Sequence, residues 1–510
     1  MYTLGISCYY HDSAAAILKD GHVVAAVEEE RFSRKKFDDG FPNMAIDWCL
    51  KEAGIRPEQV DSVAFYDKPV LKFDRLLDNY IAVAPRGLYS FLDIIPKWLH
   101  KRLWIKDDIK KHLKGFNGGI IFPEHHMSHA ACAFYTSPFE ECAILTIDGV
   151  GEWTTTSFGT AQDNSIKLTD DIRWPHSVGL FYSAFTYFLG FKVNEGEYKL
   201  MGLSAYGKPK YYDLIMKELI DVKDDGSIHL NMKYFAFTHD KVMTNEKFSE
   251  LFDISPRRRD EKIEQIHYDI GASAQKILED VILKMANHIH KKTQMKNLCF
   301  GGGVALNGVA NYNLLKNGPF ENIHIPPSPG DGGSAVGCAQ YLYYIHNKSK
   351  RVIETDQAKR IRENVYVGPQ FNDEEISHFF DSNKITYQKF DRQSLLQNTA
   401  KLISNGKIVG WYQGRMEWGP RSLGNRSILA DPREAKMKDI LNEKIKHRES
   451  FRPFAPSILE EHASDYFDID VSSPYMLMVA SVKQPDKIPA VTHVDGTGRL
   501  QTVSKQANPL

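Results

Sequence analysis

The sequence has little cysteine, no excess of either charge, no basic block and no long uncharged apolar run. Its six cysteines (Cys8, Cys49, Cys132, Cys142, Cys299, Cys338) are scattered over 510 residues without a C-x-x-C pair. That spacing excludes a disulfide scaffold and suits buried thiols in a reducing cytosol. Lys+Arg number 64 against 65 Asp+Glu, a net charge of −1, so composition gives nucleic acid no support as a partner. The most membrane-like stretch, residues 71–103, is interrupted by Arg75, Asp78, Arg86, Asp93 and Lys97, which excludes a spanning helix. Met1-Tyr2-Thr3-Leu4-Gly5 enters a strand at once, without the basic and apolar segments of a leader. The expectation is a cytoplasmic chain without a membrane partner, and 510 residues call for two or three domains.

What is present reads as α/β. Residues 3–8 are apolar, His11-Asp12-Ser13 breaks them, residues 14–18 resume, and Asp20-Gly21 turns into residues 22–28; Asp-Gly between apolar runs signals a hairpin. Residues 43–53 have helical spacing and 60–66 read as a strand. Two or three helices with aromatic faces are expected over 70–115. Strand, turn, strand recurs at residues 142–147, 154–159 and 165–169, with Asp163-Asn164 between the last two. This weak repeat predicts a duplicated α/β unit. An aromatic helix over 179–191 precedes a polar loop over 194–199 and a glycine-bearing stretch, 200–207. Residues 220–260 read as an irregular charged surface insertion, and 263–292 as a long amphipathic helix.

The chemistry concentrates in a few segments. Three of the 19 histidines fall within Pro123-Glu124-His125-His126-Met127-Ser128-His129, which opens an Ala-rich helix. On a helix His125 and His129 are an i, i+4 pair, roughly 5–6 Å apart at Cβ, and both imidazoles reach one cation with bonds of about 2.0–2.1 Å. The alternative is a pair of helix-start histidines bonded to backbone or water. H-E-x-x-H protease chemistry is excluded, because position 126 is His and Glu124 precedes the pair. Asp148, in Asp148-Gly149-Val150-Gly151, and Asp331, in Gly330-Asp331-Gly332-Gly333, each stand at a strand end beside glycine. With the histidines they make a possible two-nitrogen, two-oxygen site, suited to iron, zinc or manganese. Gly301-Gly302-Gly303 leads into a helix at Asn307, where backbone N–H groups and the helix dipole favour an anion. Gly202 and Lys199 offer a second anion-compatible loop, with a purely structural loop as the alternative.

A second unit follows a charged, Gly-free linker. Seven cations, Arg415, Arg421, Arg426, Lys444, Lys446, Arg448 and Arg452, lie among glycines, aromatics and prolines instead of alternating with acids. Clustered arginines suit bidentate phosphate capture.

PEHHMSHAACAF, LTIDGVGEW, NEGEYKLMGLSAYGKP, CFGGGVALNGVAN and PPSPGDGGSAVG, with the opening GISCYYHDSAAAILKDG and VEEERFSRKKFD, resemble the O-carbamoyltransferases of the NodU and tobramycin-carbamoyltransferase type. The resemblance runs the length of the chain. It implies an actin-like ATPase fold (a duplicated RNase H-like unit, TsaD-like) over 1–350, a linker over 351–365, and a YrdC-like α/β domain over 366–510. It implies His125, His129, Asp148 and Asp331 as ligands of a divalent metal, Fe2+ first and Zn2+ or Mn2+ as alternatives. Gly149, Gly151, Gly202, Gly301, Gly302, Gly303, Asn307 and Gly332 would hold the nucleotide. His11 would be a base or orienter, with Asp12 and Lys199 as further catalytic candidates and His126 structural. The seven cations would bind carbamoyl phosphate and ATP, with Mg2+ accompanying the ATP. Lys446-His447-Arg448 matches the family's K-x-R motif. The partner S-x-N motif is absent from this sequence, so the second domain is expected to be C-terminally incomplete. The activity implied is ATP-dependent transfer of a carbamoyl group, through carbamoyl adenylate, to a hydroxyl of a small-molecule or saccharide acceptor, in a chain compatible with a homodimer. An actin-like sugar kinase and a non-catalytic nucleotide-binding relative are the alternatives.

Overall fold

The computed structural model describes all residues, Met1–Leu510, and the chain forms two units, Met1–Thr355 and Asp356–Leu510. The first contains two five-stranded sheets of one design. In the first sheet β1 (Tyr2–Ser7), β2 (Ala14–Lys19) and β3 (His22–Glu28) run antiparallel, and β4 (Ser62–Phe65) and β5 (Gly119–Ile121) extend β1 in parallel, in the order β3-β2-β1-β4-β5. The Asp20-Gly21 turn carries φ of 50° and 84°, the left-handed pair that a two-residue hairpin requires. The second sheet repeats the plan with β6 (Glu141–Ile147), β7 (Thr154–Gln162) and β8 (Ser165–Arg173). After a small hairpin of β9 (Ile220–Val222) and β10 (Ile228–Leu230) come β11 (Asn297–Gly301) and β12 (Asn322–His324), giving β12-β11-β6-β7-β8. The repeat legible in the sequence is therefore a duplication of sheet topology, the actin-like ATPase arrangement.

The duplication positions the site. Each sheet's last strand is followed by a helix, His125–Tyr135 after β5 and Ser334–Tyr341 after β12. These two helices are equivalent and pack on each other. Their approach is so close that a Cβ on Gly337 would stand 1.9 Å from the Ser128 carbonyl oxygen. Likewise the β1–β2 loop, bearing His11 and Asp12, corresponds to the β6–β7 loop, bearing Asp148. The core beneath the first sheet is built from Leu4, Ile6, Ile17, Val63 and Phe65, with Ile46 and Cys49 of the helix Asn43–Glu52, the face expected from its spacing.

Two expectations need correction. Residues 197–204 form a helix, so Lys199 and Gly202 lie on a helix and not in a loop. Residues 220–260 are not irregular. Beyond the β9–β10 hairpin, the helix Glu246–Phe252 buries Phe248 and Phe252 against Phe185 and Phe188; the charged residues around these rings obscured an i, i+4 aromatic pair. Within the stretch expected to link the domains, Gln357–Asn364 form a helix whose N-cap Asp356 accepts from the Lys359 N–H and which buries Ala358 and Ile361.

The second unit pairs β13 (Val409–Tyr412) with β14 (Arg426–Leu429). A further sheet places β17 (Thr497–Val503) between β15 (Ser457–Leu459), parallel to it, and β16 (Met478–Ser481), antiparallel. Helices Asp373–Ser382 and Arg392–Ser404 are N-capped by Asn372 and Asp391.

Candidate metal and nucleotide site

The helix His125–Tyr135 starts where Pro123 ends the strand, and its first turn is held by a carboxylate: Glu152 accepts the His125 N–H with both oxygens at 3.1 Å and the Lys68 N–H at 2.8 Å. Regular helix then brings His125 and His129 onto one face. Their Nε2 atoms are 3.1 Å apart. His125 Nε2 is 3.0 Å from Asp148 Oδ2, and His129 Nε2 is 3.4 Å from Asp331 Oδ1. The four donor atoms lie within 4.8 Å of one another and all four residues are buried. Bonds of about 2.1 Å to a tetrahedral ion would put donors ~3.4 Å apart, in line with this spacing.

Whether the donors suit a cation is decided by what they lack. Asp331 is 1% exposed, and neither of its carboxylate oxygens has a hydrogen-bond partner. A buried, unsolvated carboxylate is costly unless a positive charge compensates it. Burial and the Asp148 charge both act to raise Asp331, yet the facing histidines His11, His125 and His129 hold it below the usual carboxylate range. Burial likewise opposes ionisation of Asp148, but the hydrogen bond from His125 and the charge of His129 hold it well below that range. His125 is driven the other way: burial lowers it, but Asp331 and Asp148 raise it overall. Protons and a divalent cation thus compete for the same nitrogens. Ser334 Oγ stands 3.2 Å from His129 Nδ1, fixing the ring so that Nε2 faces the centre. His126, between the ligands, is turned away onto Thr146 Oγ1 at 2.6 Å, and burial pushes it well below its ordinary value.

His11 approaches from the equivalent loop. Its Nδ1 is 2.8 Å from Asp12 Oδ2 and its Nε2 is 3.7 Å from Asp331 Oδ2. Burial lowers His11, but Asp331 and Asp12 outweigh it and bring it up to about 9. Asp12 has φ of 50°, in the left-handed region that aspartate enters more readily than most residues. The glycine loops close around the cluster. The Gly303 N–H donates to Asp148 Oδ1 at 2.9 Å, Gly302 has φ of 89°, and a Cβ on Gly151 would sit 2.9 Å from that of His125. Gly149 accepts from Ser177 Oγ, Gly301 ends β11, and Gly332 lies in the turn Asp331–Gly333. Asn307 accepts the Ala310 N–H and exchanges hydrogen bonds with Gln275. Lys199 lies over the Phe191 ring at 5.7 Å. The lysine that faces the cluster is Lys72, which the sequence did not single out. It is buried, 2.6 Å from Asp67 Oδ2 and 5.5 Å from the Tyr66 ring, which packs on His125.

In the second unit the seven cations divide by role. Arg415 donates to the Gly368 and Val367 carbonyls, and Arg426 pairs with the buried Glu417 at 3.1 Å; both hold local backbone. Arg448 donates to Asn442 Oδ1 at 2.7 Å and lies over the Phe454 ring. Lys444 and Lys446 are exposed. Arg421, Arg448 and Arg452 face a cation absent from the sequence reading, Arg499 on β17, which burial and their combined charge push well below the ordinary guanidinium value. Four guanidiniums converging in a half-buried region are mutually repulsive and suited to a polyanion. An isolated arginine in an alternating strand gave no signal of this; only the tertiary fold of the second unit brings it to the others.

Residues 2–340 match the family model described as carbamoyltransferase N-terminus, and residues 400–510 that described as carbamoyltransferase C-terminus. An uncharacterized protein of Synechocystis sp. is 46% identical over 539 residues, covering 100% of this chain and 87% of that protein. The nodulation protein NolNO of Sinorhizobium fredii is 34% identical over 511 residues, covering 98% and 71%. Nodulation protein U of Rhizobium tropici is 28% identical, covering 98% and 85%. Among solved structures, component A of the (R)-2-hydroxyglutaryl-CoA dehydratase of Acidaminococcus fermentans aligns with 67% of this chain and 98% of its own, at 16% identity and a TM-score of 0.38.

Proposed function

The chain belongs to the carbamoyltransferase family, and from that premise we propose an ATP-dependent O-carbamoyltransferase whose transfer site is the His125–His129–Asp148–Asp331 cluster. The second unit takes carbamoyl phosphate, ATP and water to carbamoyl adenylate, phosphate and pyrophosphate. Arg421, Arg448, Arg452 and Arg499 bind the phosphates there; Lys444 and Lys446 add positive charge at the rim, and Mg2+ accompanies the ATP. Gly149, Gly151, Gly301, Gly302, Gly303 and Gly332, with Asn307, hold the adenylate in the first unit. A divalent cation on the four ligands, Fe2+ first and Zn2+ or Mn2+ on the same donor set, would screen and orient the adenylate phosphate. Asp12 fixes the His11 ring through Nδ1; with a cation neutralising Asp331, the charge that otherwise keeps this ring protonated, Nε2 would be free to take the proton of the attacking hydroxyl. The acceptor oxygen bonds to the carbamoyl carbon, the carbon–oxygen bond to the phosphate breaks, and AMP leaves with its electron pair. The acceptor is a small molecule or saccharide.

One observation carries this reading: a buried carboxylate, Asp331, with no hydrogen-bond partner, facing His11, His125 and His129 in a duplicated fold. No helix is long and apolar enough to cross a membrane, and the use of ATP and carbamoyl phosphate in this reading supports a cytoplasmic reaction. The test is incubation of the chain with ATP and carbamoyl phosphate, without acceptor. Pyrophosphate and AMP support the reading; ADP formed only with a sugar would replace it by a kinase.

A further inference from the structure

The helix Pro69–Val83 buries four residues, Pro69, Lys72, Arg75 and Tyr80, of which two are cations. Lys72 is accounted for by Asp67 and by the rings of Tyr10 and Tyr66. Arg75 is not. It is 6% exposed, its Nε is buried without a hydrogen-bond partner, and its guanidinium forms no ion pair. It stacks on the Trp174 ring at 4.9 Å, and Trp174 is itself fixed by donating from Nε1 to Asn79 Oδ1 on the same helix. The carboxylates whose charge reaches it are engaged elsewhere, Asp67 with Lys72 and Glu152 with the Lys68 and His125 N–H groups. A buried guanidinium held flat with unused donors is an expensive arrangement for a purely structural residue.

Its position relates it to the transfer site. Lys72 lies one helical turn before Arg75. The Lys72 ammonium lies over Tyr10, which packs against His11 at 4.8 Å, and over Tyr66, which packs against His125 at 5.4 Å. Lys72, Tyr10 and Tyr66 thus form a wall that borders the transfer site beside His11 and His125. Tyr10 is 38% exposed, which leaves the wall open on the His11 side.

We propose that Arg75 anchors an anionic group of the acceptor, so that the hydroxyl-bearing substrate also carries a carboxylate or a phosphate. The proposal rests on the carbamoyl-transfer reading for the identity of the site. The guanidinium takes the anion bidentately, the geometry at which arginine exceeds lysine, and Trp174 keeps it planar and in place. Burial brings Arg75 down to about 10, so it remains a cation at neutral pH.

The test is equilibrium binding of three probes, glucose, glucuronate and glucose 6-phosphate, to the full chain at constant ionic strength. It is followed by calorimetry and by tryptophan fluorescence, with Trp174→Phe assigning the signal. At least one anionic sugar is expected to bind about 10-fold or more tightly than glucose, with Arg75→Met removing the difference and Arg75→Lys retaining only part of it. A stronger response to glucuronate identifies a carboxylate acceptor, and one to the phosphate a phosphorylated one. Equal binding of all three probes, or a preference that survives Arg75→Met, would overturn the proposal. Because binding needs no turnover, its outcome is separate from acceptor-free pyrophosphate release, which reports on the ATP-dependent adenylate formation of the proposed function.

Discussion

The two oxygens of Asp148 are divided between two tasks: Oδ1 accepts the Gly303 N–H at 2.9 Å while Oδ2 stands 3.0 Å from His125 Nε2. One carboxylate thereby ties the glycine loop proposed to hold the nucleotide to a histidine of the candidate metal site.

Removal of a ligand isolates the metal from the fold. His129→Ala deletes one of four donors on a helix whose packing is otherwise made by Ala130, Ala131, Ala133 and Phe134. Metal content measured by mass spectrometry should fall from about one ion per chain to below ~0.1, and carbamoyl transfer should be lost. Circular dichroism should be unchanged. Retention of metal and turnover in this variant would remove the assignment of the four ligands.

The crossing of the two equivalent helices is equally specific. At Gly337 a Cβ meets the Ser128 carbonyl oxygen at 1.9 Å and the Cys132 Cβ at 2.9 Å, both on the helix that carries the histidines. Gly337→Val should force the helices apart, destabilise the first unit by about 1–3 kcal/mol and lower metal affinity together with stability. Chemical denaturation and metal titration of the same preparation check both.

In the second unit, the crowding of Arg499 by Arg421, Arg448 and Arg452 implies a trade between stability and function. Arg499→Met should raise the unfolding midpoint slightly, on the order of 0.5–1 kcal/mol, because a repelled cation is removed, while pyrophosphate release falls at least about 10-fold. A loss of stability with turnover intact would mean that the four arginines serve the fold and not a substrate.

His493 gives the second unit a defined acid sensitivity. Burial depresses it to about 4, and its Nδ1 stands 3.1 Å from Thr497 Oγ1. The folded state keeps the ring neutral while the unfolded chain protonates near 6.5. Between those values the unfolded state binds the extra proton, so stability should fall as pH drops from about 6.5 to 4. Denaturant midpoints of the wild-type chain and His493→Gln across that range should converge as the pH falls.

Much of the site was legible because its chemistry is local. The His125/His129 spacing is a property of one helix, and the strand-end aspartates announce themselves beside glycine. Lys199 and Gly202 misled because a polar, glycine-bearing segment reads as a loop, whereas residues 197–204 are helical, with Leu200 and Leu203 buried. Residues 246–252 were misread for the converse reason: charges masked two core phenylalanines. Lys72, Arg75 and Arg499 gave no signal, since the sequence cannot tell a buried cation from one on a solvated face.

By itself the sequence determined the alternation of strands and helices, the repeated strand–turn–strand unit and the donor types at positions 125, 129, 148 and 331, all of which follow from residue spacing and turn chemistry. Only the tertiary structure decided that these donors meet. His125 and His129 come from the first half, Asp148 and Asp331 from the second, and their convergence depends on two equivalent helices crossing at Gly337. It also decided which cations are costly. Desolvation and unsatisfied donors depend on what surrounds a side chain in three dimensions, and that is why Arg75 emerged from the fold and not from the sequence.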